Sequence, residues 1–134
     1  AANINLSLNI ETSTAYFGSG NNQPWLTVPM GIVYWADRGS PSQLIEPAYI
    51  SSGVWNSAHF KNPQFDHLMA DFDAQMDMSK RKQIAVQAAR LMQDETPAMI
   101  GFWLKELRAV ANGLQGVAPG PNVVFDPSTM GFAA

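Results

Sequence analysis

The sequence predicts an α/β fold, and three observations lead there. Polar and apolar residues alternate over residues 3–10, as in a half-buried strand. Two neighbouring amphipathic helical stripes occupy residues 62–96. Two apolar runs, residues 28–35 and 98–104, have the length and composition of buried strands. Strands and helices interleave along the chain, the order that builds α/β architectures. A few strands with one antiparallel helix pair do not close a complete doubly wound domain. The expectation is therefore a single partial domain over residues 1–134, with residues 113–134 as an irregular tail.

In order along the chain, Asn3-Ile4-Asn5-Leu6-Ser7-Leu8-Asn9-Ile10 places its apolar side chains on one face of an extended segment. Opening inside a strand, with no Met and no targeting segment, leads to the expectation of a piece cut from a longer chain. Glu11-Thr12-Ser13-Thr14 is polar and begins a short helix through Tyr16 and Phe17. Residues 18–24 form a loop by their turn chemistry. Residues 28–35 read as a buried strand with Pro29 near its start, where a missing N–H is tolerated. A tight polar loop, Ala36-Asp37-Arg38-Gly39-Ser40-Pro41, follows. A short helix over residues 41–46 then starts with Pro41 at its first position and Ser40 as its cap. Residues 49–62 read as irregular.

The helix pair carries the strongest signal. Asn62 is a good N-cap, and Pro63 at the first helical position gives up an N–H that would be unpaired anyway. Phe65, Leu68, Met69, Phe72 and Met76 then recur at steps of three and four, while Asp66, Asp71 and Asp73 lie off that face. A second helix starts near Asp77 or Ser79 and carries Ile84, Ala88, Leu91 and Met92 on its apolar stripe. Pro97 disfavours a helical Thr96. A short link around Asp77 makes the two helices antiparallel neighbours. Such stripes are core packing and carry no functional information by themselves. After them, residues 98–104 read as a buried strand and residues 107–112 as another.

Composition excludes several function classes. Of 134 residues, 46% are hydrophobic and only 14% charged, so a core can form, and the low charge implies that some surface is normally covered. A net charge of −3 leaves no basic footprint for nucleic acid. No apolar run is long enough to span a bilayer. With no cysteine, disulfides, zinc thiolates and a thiol nucleophile are excluded. His59 and His67 are eight apart, which does not match a helical metal pair, so no metal and no cofactor are expected. No Gly-x-Ser-x-Gly, phosphate loop or His-Glu-x-x-His occurs, and Asp94, Glu95, Glu106 and Asp126 are not paired in sequence.

The order of these signals resembles the C-terminal part of the family 5 extracellular solute-binding proteins, the dipeptide and oligopeptide type that serve ABC importers. The resemblance spans residues 3–117. It is carried by Ile4-Asn5-Leu6-Ser7-Leu8, by Tyr34-Trp35 with the loop to Pro41, and by Trp55-Asn56. Phe60-Lys61-Asn62-Pro63-Gln64-Phe65-Asp66 follows, then Asp77 with Arg81, the run after Pro97, and Gly113-Leu114-Gln115-Gly116-Val117. The chain is several times shorter than members of that family and has a shorter loop after the tryptophan.

The resemblance implies part of the C-terminal lobe of a two-lobed, type II-like periplasmic binding protein that closes on its ligand by hinge motion. It implies capture of a small solute, chiefly a di- or oligopeptide, for delivery to ABC permease subunits in the membrane. It places the protein in the periplasm, or outside the cell on a lipid anchor in a Gram-positive host. It makes the chain a non-enzyme, and it implies substrate contacts from Trp35, Asp37 and Arg38. Trp35 would be an apolar wall, Asp37 would meet an ammonium, and Arg38 would fork onto a carboxylate. Either Asp37 or Arg38 takes the place of the family's loop contact; the competing reading is a solvated surface turn. The rival classes are an uncharacterised enzyme domain and a free-standing α/β interaction domain. A closed pocket with convergent polar groups would favour the first of these, and an exposed apolar face belongs to a binding-protein lobe or an interaction domain.

Overall fold

The computed structural model describes residues 5–36, 38–101, 107, 109–117 and 127–132. The chain divides into two compact units, residues 1–33 and residues 34–134. Among the described residues it is dominated by helices, with one two-stranded antiparallel sheet.

In the first unit, Thr12 caps a one-turn helix α1, Ser13–Phe17, through a hydrogen bond from the Ala15 N–H to its hydroxyl. Gly18, at φ 57°, ends it. A Cβ there would collide with the Asn22 carbonyl, so the bridge between Ser19 and Asn22 requires glycine. A 3-10 turn over Pro24–Leu26 buries Trp25, and Phe17 meets the Trp25 ring edge-on at 5.7 Å. The short helix and the loop expected from the sequence are both present.

The second unit holds α2 (Pro41–Tyr49), α3 (Pro63–Ala74) and α4 (Met78–Glu95), then β1 (Leu114–Gln115) and β2 (Gly131–Phe132). The Asn62 side chain accepts from the Gln64 and Phe65 N–H groups, and Asp77 accepts from those of Ser79 and Lys80. Each cap satisfies donors that the first helical turn leaves orphaned. Replacing Asn62 with alanine is expected to cost about 1 kcal/mol, read as a lower urea midpoint with an unchanged slope. Thr96 ends α4 in the left-handed region at φ 48°, ψ 54°, outside the right-handed helical conformation that Pro97 disfavours. The short link folds α4 back against α3. Phe65, Met69, Phe72 and Ala88 form the buried centre between them, with Ile84, Leu91 and Met92 packed against it. Met76 lies beyond the end of α3 and is 90% exposed, so it is not part of the stripe.

Two details of α2 depart from expectation. The helix continues past Glu46 to Tyr49, carrying Pro47 inside it. Ser40 occupies the N-cap position, but its hydroxyl bonds the Ser42 hydroxyl at 2.9 Å and caps no N–H. The missing Pro47 N–H deprives the Gln43 carbonyl of its α-helical donor, while the Pro47 carbonyl accepts from the Trp55 N–H at 2.7 Å. That contact needs Gly53, where a Cβ would fall 2.5 Å from the same carbonyl oxygen.

The strand expectations are corrected. Residues 5–10 form no strand, and Leu6, Leu8 and Ile10 are 65–89% exposed. Residues 28–35 are bends and irregular chain and form no strand, with Met30, Ile32 and Tyr34 exposed. Residues 98–101 likewise form no strand, and the rest of that predicted strand lies outside the described residues. The described part of residues 107–112 is not a strand. The tail is not wholly irregular: Leu114 pairs with Phe132 and Gln115 with Gly131, after a 3-10 turn over Pro127–Thr129. No helix among the described residues is long and apolar enough to cross a membrane.

Candidate functional site

The residues that carry the sequence motif are placed by the fold, and most of them hold it together. Asn56 donates from Nδ2 to the Ile50 and Phe60 carbonyls and accepts the Phe60 N–H on Oδ1. Phe65 is completely buried, and Asp66 accepts the Ser51 N–H at 2.9 Å. These side chains tie the turns of residues 50–62 to the start of α3.

Of the three candidate contacts, Trp35 is half-buried and packs its ring 5.9 Å from that of Trp55. Arg38 is exposed, as a ligand contact or a solvated turn residue is. Asp37 lies outside the described residues. The loop leads directly into Gly39, Ser40 and Pro41, which form one wall of a groove of about 620 Å³. Phe72 of α3 and Met78, Ser79, Arg81 and Lys82 of α4 line the remainder.

Arg81 is the best-defined polar group in this groove. Its guanidinium carbon stands 4.3 Å from the centre of the Phe72 ring, a stacked geometry that holds the planar fork in one orientation. Its Nη2 lies 3.9 Å from Asp73 Oδ1, beyond hydrogen-bond distance, and both side chains are partly exposed, so the ion pair is weak. Its Nε is buried without a hydrogen-bond partner. Lys80, Arg81 and Lys82 also stand near the positive end of the α4 dipole, where Asp77 caps the helix but no acidic residue occupies the first turn. Cations there oppose the helix field. That departure from local preference was present in the sequence as the run Lys80-Arg81-Lys82 and is the signal that marks Arg81 and Lys82, neither of which was among the expected contacts.

The Glu46 carboxyl of α2 is held above its ordinary value of 4.5. A hydrogen bond with Asp73 is the main cause, then burial, then the Asp73 charge. A carboxyl that binds its proton more tightly when folded contributes stability below its unfolded value. That contribution is lost as pH rises through the raised folded value. Thermal stability should therefore fall as pH rises above 4.5 by a component that Glu46→Gln removes. Melting curves of both proteins across that window check it, and a wild-type melting temperature rising relative to the variant would contradict it.

Among the described residues, no group of three or more His, Asp or Glu converges on a metal position, and His67 pairs instead with Asp71 at 3.6 Å on the exposed side of α3. No family model, curated protein or solved structure matches the chain.

Proposed function

We propose that the protein is the substrate-binding component of an ABC importer, capturing a small solute, chiefly a di- or oligopeptide, for a membrane permease. The observation that carries this reading is the ordered set Trp35, Trp55-Asn56, Asn62-Pro63-Gln64-Phe65-Asp66 and Asp77 with Arg81. Its members recur as one connected unit: Trp35 rests on Trp55, Asn56 and Asp66 bind the turn segment, and Asn62 and Asp77 cap the helix pair. The exposed apolar residues Leu6, Leu8, Ile10, Met30, Ile32 and Tyr34 also support it, since apolar alternation of this kind fits a sheet in a larger lobe. The cleft faces a second lobe in this reading, and the groove beside the Trp35 loop is the solute's side of it. The 134 residues alone then bind peptide only weakly, because an open half-cleft buries little of the ligand.

Uptake of radiolabelled short peptides by the source cells tests the function. Disrupting the gene is expected to abolish uptake while the permease remains in place, with the protein recovered from the periplasmic or membrane-surface fraction. Unchanged uptake together with a cytosolic protein would overturn the reading.

A further inference from the structure

We propose that the groove between residues 39–41 and the start of α4 binds a carboxylate carrying an adjacent apolar group, with the carboxylate held by Arg81. Two features select this ligand class. One is charge: Arg81 and Lys82 line the groove, no acidic residue does, and Ser40 and Ser79 are the other polar residues of its lining. The other is the apolar surface beside those cations, from Pro41, Phe72 and Met78. A bare inorganic anion would use the first feature and leave the second unused.

Arg81 is suited to the task by what it does not do. A guanidinium carries five N–H donors in a rigid fork that matches a carboxylate. Here stacking on Phe72 fixes the fork, while Asp73, at 3.9 Å, is too far to take a hydrogen bond from it. The ordering cost of the side chain is met before a ligand arrives, which favours binding. A carboxylate in the groove also adds to the Asp77 cap in offsetting the placement of Lys80, Arg81 and Lys82 near the positive end of α4. The assignment rests on the solute-binding reading for its natural ligand, the C-terminal carboxylate of a short peptide with its last side chain on Phe72 and Met78.

The test uses the isotopically labelled 134-residue chain and two probes, N-acetyl-leucine and N-acetyl-leucinamide, which share the apolar group and differ in the charge. N-acetyl-leucine at millimolar concentration is expected to shift the amide resonances of Ser40, Ser79, Arg81 and Lys82, and the amide derivative is not. Arg81→Met is expected to weaken binding at least about tenfold, as loss of a charged hydrogen-bonded pair does. Should that variant fail to fold, Arg81→Lys keeps the charge but loses the fork and should weaken binding several-fold. Lys82→Met, at a position with no stacking role, should weaken it less. Equal shifts from the amide derivative, full reproduction of the shifts by sodium sulfate, or no shifts at all would overturn the assignment. Failure here is separable from failure of the transport reading. Peptide uptake that needs the protein but not Arg81 sinks only the groove assignment. N-acetyl-leucine binding at the groove, with uptake indifferent to the protein, sinks only the transport reading.

Discussion

Replacing Phe65 with alanine is expected to destabilise the helical unit by about 3–5 kcal/mol, the usual range for emptying a buried phenylalanine site. Phe65 has no exposed surface at all. Its ring meets Phe60 edge-on at 5.6 Å, and Met69, Phe72 and Ala88 complete the buried cluster around it. Collapse into the resulting space is restricted, because the Phe65 N–H is fixed by the Asn62 cap and the neighbouring Asp66 is fixed to the Ser51 N–H. A void that cannot close carries the full cavity cost in addition to the lost transfer energy. The loss is comparable to the whole stability of a small domain. Far-ultraviolet circular dichroism of Phe65→Ala should therefore show loss of helix at room temperature. Phe65→Leu should retain the helix with a reduced melting temperature. A Phe65→Ala protein melting within a few degrees of wild type would mean that the α3–α4 core does not hold this unit together.

The helices were legible in the sequence because each carries its own evidence. Asn62-Pro63 and Asp77 fix the starts with side chains a few residues from the N–H groups they satisfy. The stripe Phe65, Leu68, Met69, Phe72 and its partner Ile84, Ala88, Leu91, Met92 need only each other. Strands differ, because a strand's hydrogen bonds belong to another segment. The alternation over residues 5–10 shows which side chains would share a face, and it contains nothing about what pairs with them. The sheet that does form uses two residues from each strand, too short for any periodicity to appear. The end of α2 was also placed too early, since the helix runs past Glu46 to Tyr49 with Pro47 inside it.

The candidate site was half legible. The polar loop after Trp35 was singled out, and its continuation through Gly39, Ser40 and Pro41 does form one wall of the groove. Arg81 appeared in the sequence only as part of a helix start. Its relation to Phe72 is a tertiary contact between residues nine positions apart on two helices, and no spacing rule reports it. What the sequence did contain was three cations at a helix N-terminus, a conflict between local preference and observed residue. Asn56 taught the opposite lesson: a residue selected for its place in a ligand-binding family's motif spends its hydrogen-bonding capacity on the backbone of its own chain.

That use of Asn56 makes a second large effect predictable. Asn56→Ala is expected to cost about 2–3 kcal/mol, because it removes three hydrogen bonds and leaves both backbone groups of Phe60 short of a partner in a half-buried turn, while the Ile50 carbonyl keeps its bond from the Gly53 N–H. His59 adds to the cost. It holds a left-handed backbone at φ 51°, which a residue other than glycine adopts only where its surroundings impose it. The Asn56 side chain closes the loop across it by binding Phe60, and the Asn56 carbonyl accepts the His59 N–H at 3.1 Å. Asn56→Asp separates hydrogen bonding from size. It preserves the volume and the acceptor for the Phe60 N–H, but it turns the donor into an oxygen facing two carbonyl oxygens. If the bonds matter, the aspartate variant is destabilised as well, and more so as pH rises and the carboxylate ionises. If the site needed only a side chain of that size, Asn56→Asp would unfold at the wild-type urea midpoint at every pH. The two midpoints, measured on either side of the ordinary carboxylate range, decide between a turn built on hydrogen bonds and one built on packing.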